Sequence, residues 1–237
     1  MKANKNIFKF KQFDIDQTGC AMRINTDGVL LATSVSHAEP KKILDIGTGT
    51  GVIALMLAQR FLDAEIDAVE IDSQAANAAR QNAMQSIFSE RINVYHSSFQ
   101  DFETETNYDL IVSNPPFFVN DLKNEEERKG IARHADVDFF DILVRKSAKI
   151  LSNKGKLWMV LPVKQATEVE RIGANVNLFV SEKISMHSDK DKPTFRIMIC
   201  LTREKVVVNE WDFCIYESMN VHTEAYKSLL KDFFLNF

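Results

Sequence analysis

Long apolar runs, paired cysteines and an excess of positive charge are all missing from this chain of 237 residues. No apolar stretch approaches the roughly 20 residues that a membrane-spanning helix needs, so no membrane association is expected. Met1 to Phe13 carries Lys2, Lys5, Lys9 and Lys11 but no apolar stretch like that of a signal peptide. Cys20, Cys200 and Cys214 are odd in number, far apart and without metal-type spacing. Buried free thiols in a reducing cytoplasm, and no metal, are the expectation. A net charge of −4 argues against a surface coated in phosphate-binding charge. Two basic clusters remain: the four N-terminal lysines, and Arg128-Lys129 with Arg133 and His134, which follow the acidic run Glu125-Glu126-Glu127. Solvated surface is the plain reading of both, and a local nucleic-acid footprint is the alternative. The 45% hydrophobic and 26% charged residues are the composition of a globular protein with a sizeable core. The length fits one domain with an appendage, and a monomer is expected.

From Lys42 the sequence alternates strand-like and helix-like segments at α/β spacing. Strands are predicted at Ile43 to Ile46, Ala64 to Ile71, Ile92 to His96, Leu110 to Ser113 and Lys156 to Leu161. Between them Val52 to Arg60 has helical composition, and Ser73 is a candidate N-cap for an alanine-rich helix to about Ser86. Phe139 to Leu151 shows helical periodicity in Phe140, Leu143, Val144, Ser147 and Ile150. Thr167 to Val176 is another candidate helix. Leu178 to Met186 and Thr194 to Thr202, joined by a polar link closed by Pro193, suit a long antiparallel hairpin. Five alternating strands finished by an antiparallel pair predict a mostly parallel sheet with one reversed edge. Glu224 to Phe234 reads as an amphipathic helix. Residues 1–40 are expected to form a hairpin and helix appendage: a basic strand punctuated by Phe8, Phe10 and Phe13, a turn-like stretch from Asp14 to Gly19, and a helix capped by Thr26 and running through Ser36. Residues 41–237 form the main domain.

Prolines are few, and two of the five are adjacent, in Asn114-Pro115-Pro116-Phe117 directly after the run Tyr108 to Ser113. Neither proline continues a sheet ladder or enters a helix interior, so the chain leaves the strand in a fixed, extended bend. That bend presents an amide side chain, an unclaimed carbonyl and an aromatic ring. Two acceptors and a stacking face suit a planar group bearing an NH2. A rigid strand-to-loop turn is the plain alternative.

Asp45-Ile46-Gly47-Thr48-Gly49-Thr50-Gly51 closes the first main-domain strand and opens a helix. Glycines there allow a sharp bend and close approach of a ligand. The dinucleotide fingerprint requires glycine where Val52 stands. An aspartate at the strand end repels a pyrophosphate but favours a cationic ligand such as a sulfonium. Glu70 ends the next strand, where acids in such folds hydrogen-bond a ribose diol. Together these features favour S-adenosylmethionine over NAD.

Ile43 to Gly51, Glu70 and Ile111 to Phe117 resemble motifs of the class I methyltransferases that act on amino nitrogens. Phe8 to Phe13, Cys20 to Arg23, Thr26 to Leu31, Ala132-Arg133-His134 and Glu224-Ala225-Tyr226 are similar to the bacterial tRNA1(Val) (adenine-37-N6)-methyltransferase family. The resemblance covers nearly the whole chain, and the N-terminal block carries most of its specificity. It implies a Rossmann-like, seven-stranded, mostly parallel sheet with a reversed last strand, in a class I methyltransferase domain over 41–237. It also implies that Asp45, Gly47, Gly49 and Gly51 shape the S-adenosylmethionine pocket and that Glu70 binds the ribose. Asn114 and the Pro115 carbonyl would accept from the adenine amine, Pro116 would complete the rigid bend, and Phe117 would stack on the base. The third strand of the wider class often ends in an aspartate that holds the cofactor's adenine. Here Ser98 and Asp101 are alternative replacements. Lys9, Lys11, Arg128, Lys129 and Arg133 are candidate contacts to the tRNA backbone. Guanine-N2 methylation of ribosomal RNA, methylation of a protein glutamine, and a non-catalytic cofactor-binding scaffold are the competing readings.

Overall fold

The computed structural model describes residues 6–20, 22–116 and 139–237. Its centre is an eight-stranded sheet built from β3 (Lys42–Ile46), β4 (Glu65–Glu70), β5 (Ile92–His96), β6 (Tyr108–Ser113), β7 (Leu151–Leu161), β8 (Phe179–His187), β9 (Thr194–Thr202) and β10 (Asn209–Cys214). The spatial order is β10-β8-β9-β7-β6-β3-β4-β5. Neighbours pair in parallel except β9, which runs antiparallel to both β7 and β8.

This is the expected Rossmann-like class, with two differences. The reversed strand is not at the edge but lies between β7 and β8, and an eighth strand closes that side of the sheet. The sequence of β10, Asn209 to Cys214, hides it: Trp211 and Phe213 alternate with Asp212, but the pattern is only two residues deep and Phe213 alone is buried. β7 also starts at Leu151 instead of Lys156, with Ser152-Asn153-Lys154-Gly155 bulging out of the ladder between the Tyr108 and Leu110 pairings.

Alternating side chains of the strands feed two cores, one on each face. Ile43, Leu110, Val112, Trp158 and Val160 join one, with α1 (Thr26–Ser34), α2 (Val52–Arg60) and α6 (Glu224–Leu230). Leu44, Ile46, Ile111, Leu157 and Met159 join the other, with α4 (139–150) and α5 (Val163–Ala174). The predicted stripe of α4 is where it should be, with Phe140, Leu143, Val144 and Ser147 buried. α3 (Ser73–Gln85) is capped by Asp72, not Ser73, whose carboxylate accepts from Ala75 N. α5 begins four residues earlier than predicted, since Pro162 supplies its cap position.

The N-terminal residues are packed onto the first core. β1 (Ile7–Lys9) and β2 (Asp14–Asp16) form an antiparallel hairpin, and the stretch read as turn-like from Asp14 begins as its second strand. Phe10, Phe13 and Ile15 are buried in the same cluster as Trp158. Asn82 of α3, 2% exposed, ties this hairpin to the glycine turn. Its Oδ1 accepts from Asp16 N, while its Nδ2 donates to the carbonyls of Asp16 and Thr50. A second small hairpin, β11 (Tyr216–Ser218) with β12 (Val221–His222), precedes α6, which ends at Leu230 instead of Phe234.

Candidate active site

Sheet register brings two loops together. Ile46 pairs with Ser113 at the carboxyl ends of β3 and β6, so Gly47 and Asn114 leave neighbouring strands side by side. Ser113 Oγ donates to Ile46 O at 2.9 Å and locks the two ends. β4 lies on one side of β3 and β6 on the other, so this is the switch point at which parallel α/β sheets open a crevice. A cavity of about 470 Å³ opens there, lined by both loops and by Glu70, Ile71, Phe99 and Leu143. Its size is that of a small-molecule site.

The three glycines of the turn are all left-handed, with φ of +73° at Gly47, +56° at Gly49 and +84° at Gly51. They divide into two roles. A Cβ on Gly47 or Gly49 would meet nothing within 4 Å, and both residues line the cavity. A Cβ on Gly51 would lie 3.3 Å from Ala79 of α3, and Gly51 does not line the cavity. Gly51 therefore serves helix packing at the cap of α2, while Gly47 and Gly49 leave space for a ligand.

Glu70, at the end of β4, is 8% exposed and accepts from Gly49 N through Oε2 and from Asp72 N through Oε1, both at 2.9 Å. A carboxylate offers about four acceptor positions, so two remain for a ligand's hydroxyls. Asp45 is fully buried beneath the glycine turn and is not on the cavity wall. Burial pushes its carboxyl up to about 7, against hydrogen bonds from Thr48 and the Ala54 amide that favour the ionised form. The Thr48 hydroxyl donates to its Oδ2 at 2.6 Å.

Asn114 lines the cavity, followed by Pro115 and Pro116. Its Nδ2 donates to Asn25 Oδ1 at 3.2 Å. Its Oδ1 is buried and takes no hydrogen bond among the described residues. Ser98 lines the cavity too, and its hydroxyl donates to Asp101 Oδ2 at 2.6 Å while accepting from Asp101 N at 3.0 Å. The two alternatives for the cofactor's adenine are thus one bonded pair.

The basic candidates lie elsewhere. Lys9 faces Asp14 across the N-terminal hairpin, both side chains being well exposed. Lys11 Nζ donates to the backbone oxygens of Lys231 and Phe237. Phe117, Arg128, Lys129 and Arg133 lie outside the described residues.

Most of the apolar wall was not predicted as part of the site. Ile71, Phe99 and Leu143 are among the apolar residues that line the cavity with Glu70. Ile71 is 69% exposed, an unusual state for an isoleucine next to a strand end, yet in sequence it reads as one more strand residue. Among the described residues no cluster of His, Cys, Asp and Glu could hold a metal, and no helix is long and apolar enough to cross a membrane.

Residues 20–178 match the family model of the methyltransferase small domain. A Pedobacter heparinus protein named tRNA1(Val) (adenine(37)-N6)-methyltransferase is 54% identical over 98% of this chain and 100% of its own length. A protein of the same name from Trichodesmium erythraeum is 41% identical, over 98% and 99% of the two chains. Among solved structures, a predicted O-methyltransferase from Agrobacterium tumefaciens superposes with a TM-score of 0.67 over 87% of this chain and 96% of its own, at 16% identity. A ribosomal protein L11 methylase from Lactobacillus delbrueckii gives 0.56 at 17% identity, over 79% and 83% of the two chains. These last two establish the fold alone. With a methyltransferase core and full-length relatives of a single name, this chain belongs to the tRNA1(Val) (adenine(37)-N6)-methyltransferase family.

Proposed function

We propose that this protein transfers a methyl group from S-adenosylmethionine to N6 of adenine 37 in tRNA1(Val). One observation carries the reading: an amide oxygen unpaired among the described residues, Asn114 Oδ1, stands at the end of β6, beside the open glycine cradle at the end of β3. A buried acceptor without a donor costs about 1–3 kcal/mol, a cost removed when an amine N–H arrives.

The residues present fit the cofactor. Gly47 and Gly49 leave backbone room for the methionine portion, and Glu70 keeps acceptor capacity for the ribose hydroxyls. Ile71, Phe99 and Leu143 offer apolar faces for the adenine, with the Ser98–Asp101 pair at its edge. When bound, S-adenosylmethionine supplies an electrophilic methyl group on a sulfonium, itself a good leaving group. The buried Asp45 favours positive charge nearby.

The task left to the protein is alignment. An exocyclic adenine nitrogen is a poor nucleophile because its lone pair is delocalised into the ring. Acceptors at Asn114 Oδ1 and the Pro115 carbonyl would hold the two amine hydrogens and so orient the nitrogen lone pair, and the proton shed by the methylated, cationic nitrogen would pass to water. Phe117 is proposed to stack on the base. Such orientation is worth roughly 7–11 kcal/mol in well-aligned systems, so no strong base is required. The base must leave its stack to enter the cavity, which costs least in a loop such as an anticodon. Lys9, Lys11, Arg128, Lys129 and Arg133 are proposed to meet the tRNA backbone. For Lys11 this requires release of its carbonyl partners.

The test is incubation with labelled S-adenosylmethionine and separate pools of tRNA1(Val), ribosomal RNA and release factor. Label in tRNA1(Val), mapped to N6 of adenine 37, is the predicted result. Label in another pool, or in none, overturns it.

A further inference from the structure

The side chain of Asn25, outside the motifs that carry the fold, touches the amide on which the proposed chemistry depends. Asn25 is the N-cap of α1, with φ −128° and ψ 163°, and its Oδ1 accepts from Gly28 N at 2.9 Å. That bond fixes which end of the Asn25 amide faces inward, since only an oxygen satisfies the helix N–H. The same Oδ1 also receives Asn114 Nδ2 at 3.2 Å. Two asparagine amides are otherwise ambiguous, because oxygen and nitrogen have nearly the same shape. Here the helix cap removes the ambiguity. Turning the Asn114 amide over would set oxygen against oxygen and lose the bond.

The cap itself is anchored. Asp27 of α1 forms an ion pair with Arg196 of β9, Nε to Oδ2 at 2.8 Å, and both side chains are largely buried. Gly28 lies against the Asn114 amide, so that a Cβ there would sit 3.3 Å from Nδ2. The first turn of α1 is therefore a wall with one acceptor in it, pressed against the NH2 end of Asn114.

We infer that Asn25 is a positioning residue: it holds the Asn114 amide in the one orientation that presents Oδ1, and not NH2, to the substrate amine. This rests on the proposed role of Asn114. It also gives the N-terminal segment a part in the chemical step, distinct from any contact with RNA backbone.

Serine separates capping from positioning, because its hydroxyl caps a helix as well as asparagine does but is too short to reach Asn114. For Asn25→Ser the expected result is a melting temperature close to wild type and unchanged S-adenosylmethionine affinity and KM for tRNA. Its kcat should fall about tenfold, the loss of one orienting hydrogen bond. Asn25→Asp, assayed at pH 8, keeps an acceptor for both N–H groups and should recover kcat to within about threefold of wild type. A folded Asn25→Ser enzyme with kcat within twofold of wild type overturns the inference, as does failure of Asn25→Asp to recover what Asn25→Ser loses. Asn114→Ala, run in parallel, keeps the two claims apart. Inactive Asn114→Ala beside normal Asn25→Ser removes the positioning role alone, whereas active Asn114→Ala removes the reading beneath it.

Discussion

Glu70 Oε2 accepts from Gly49 N at 2.9 Å, so the acid ending one strand holds the turn that ends its neighbour. Recognition of the ribose and shaping of the glycine cradle thus depend on the same carboxylate. Glu70→Ala leaves the Gly49 and Asp72 amides unpaired and removes the proposed hydroxyl acceptor. Calorimetry should show S-adenosylmethionine affinity falling by about 100-fold, two lost hydrogen bonds to a charged group. Glu70→Gln, which keeps one acceptor, should lie between. Equal affinity for all three proteins would remove Glu70 from the cofactor site.

The glycines should separate by role. Gly49→Ala adds a methyl group to open space, so it costs about 1–2 kcal/mol of backbone strain and blocks the ligand. Its signature is a large loss of affinity with a small drop in melting temperature. Gly51→Ala pushes on Ala79 at 3.3 Å and should reverse that balance. Melting curves with and without cofactor distinguish the two, and matching profiles for both variants would contradict the division.

Asp45 links pH to stability. Its folded-state carboxyl titrates at about 7, against an ordinary value of 3.8, mainly through burial. The group's contribution to stability is therefore full below about pH 4 and lost as pH rises through 7. Asp45→Asn removes that penalty. The apo variant should melt several degrees above wild type at pH 8, a net gain of about 1–2 kcal/mol, and the difference should vanish near pH 4. The same substitution should weaken S-adenosylmethionine binding at pH 8. A variant less stable than wild type at pH 8 would refute the buried, reluctantly ionised carboxylate.

Asn82 predicts a coupling at a distance. Asn82→Ala leaves Asp16 N, Asp16 O and Thr50 O without their partner in a nearly buried setting. Destabilisation of about 2–4 kcal/mol is expected, together with earlier hydrogen exchange in both the N-terminal hairpin and the glycine turn. Exchange confined to one of them would show that they are not joined through this residue.

Much of this was legible in the sequence because backbone demands write themselves in glycine and proline. Gly47, Gly49 and the Pro115-Pro116 pair mark where strands must end abruptly, and parallel pairing then places their ends side by side. Contacts between distant segments were not legible. Nothing in the N-terminal sequence announces that Asn25 reaches Asn114, 89 positions away. Asp45 looks like a pocket residue, and only the fold shows it lying beneath the turn. The edge strand β10 escaped for a different reason: as a largely exposed edge strand it carries only Trp211 and Phe213 as an apolar pair, too short a period to read.

Single-turnover transfer by wild type and Asn114→Ala, on a tRNA1(Val) transcript with labelled S-adenosylmethionine, tests the central claim most directly. Wild type should place one methyl group on N6 of adenine 37, and Asn114→Ala should bind the cofactor normally yet transfer at least about 100-fold more slowly, in keeping with loss of an orienting contact. Near-normal transfer by Asn114→Ala would contradict the account.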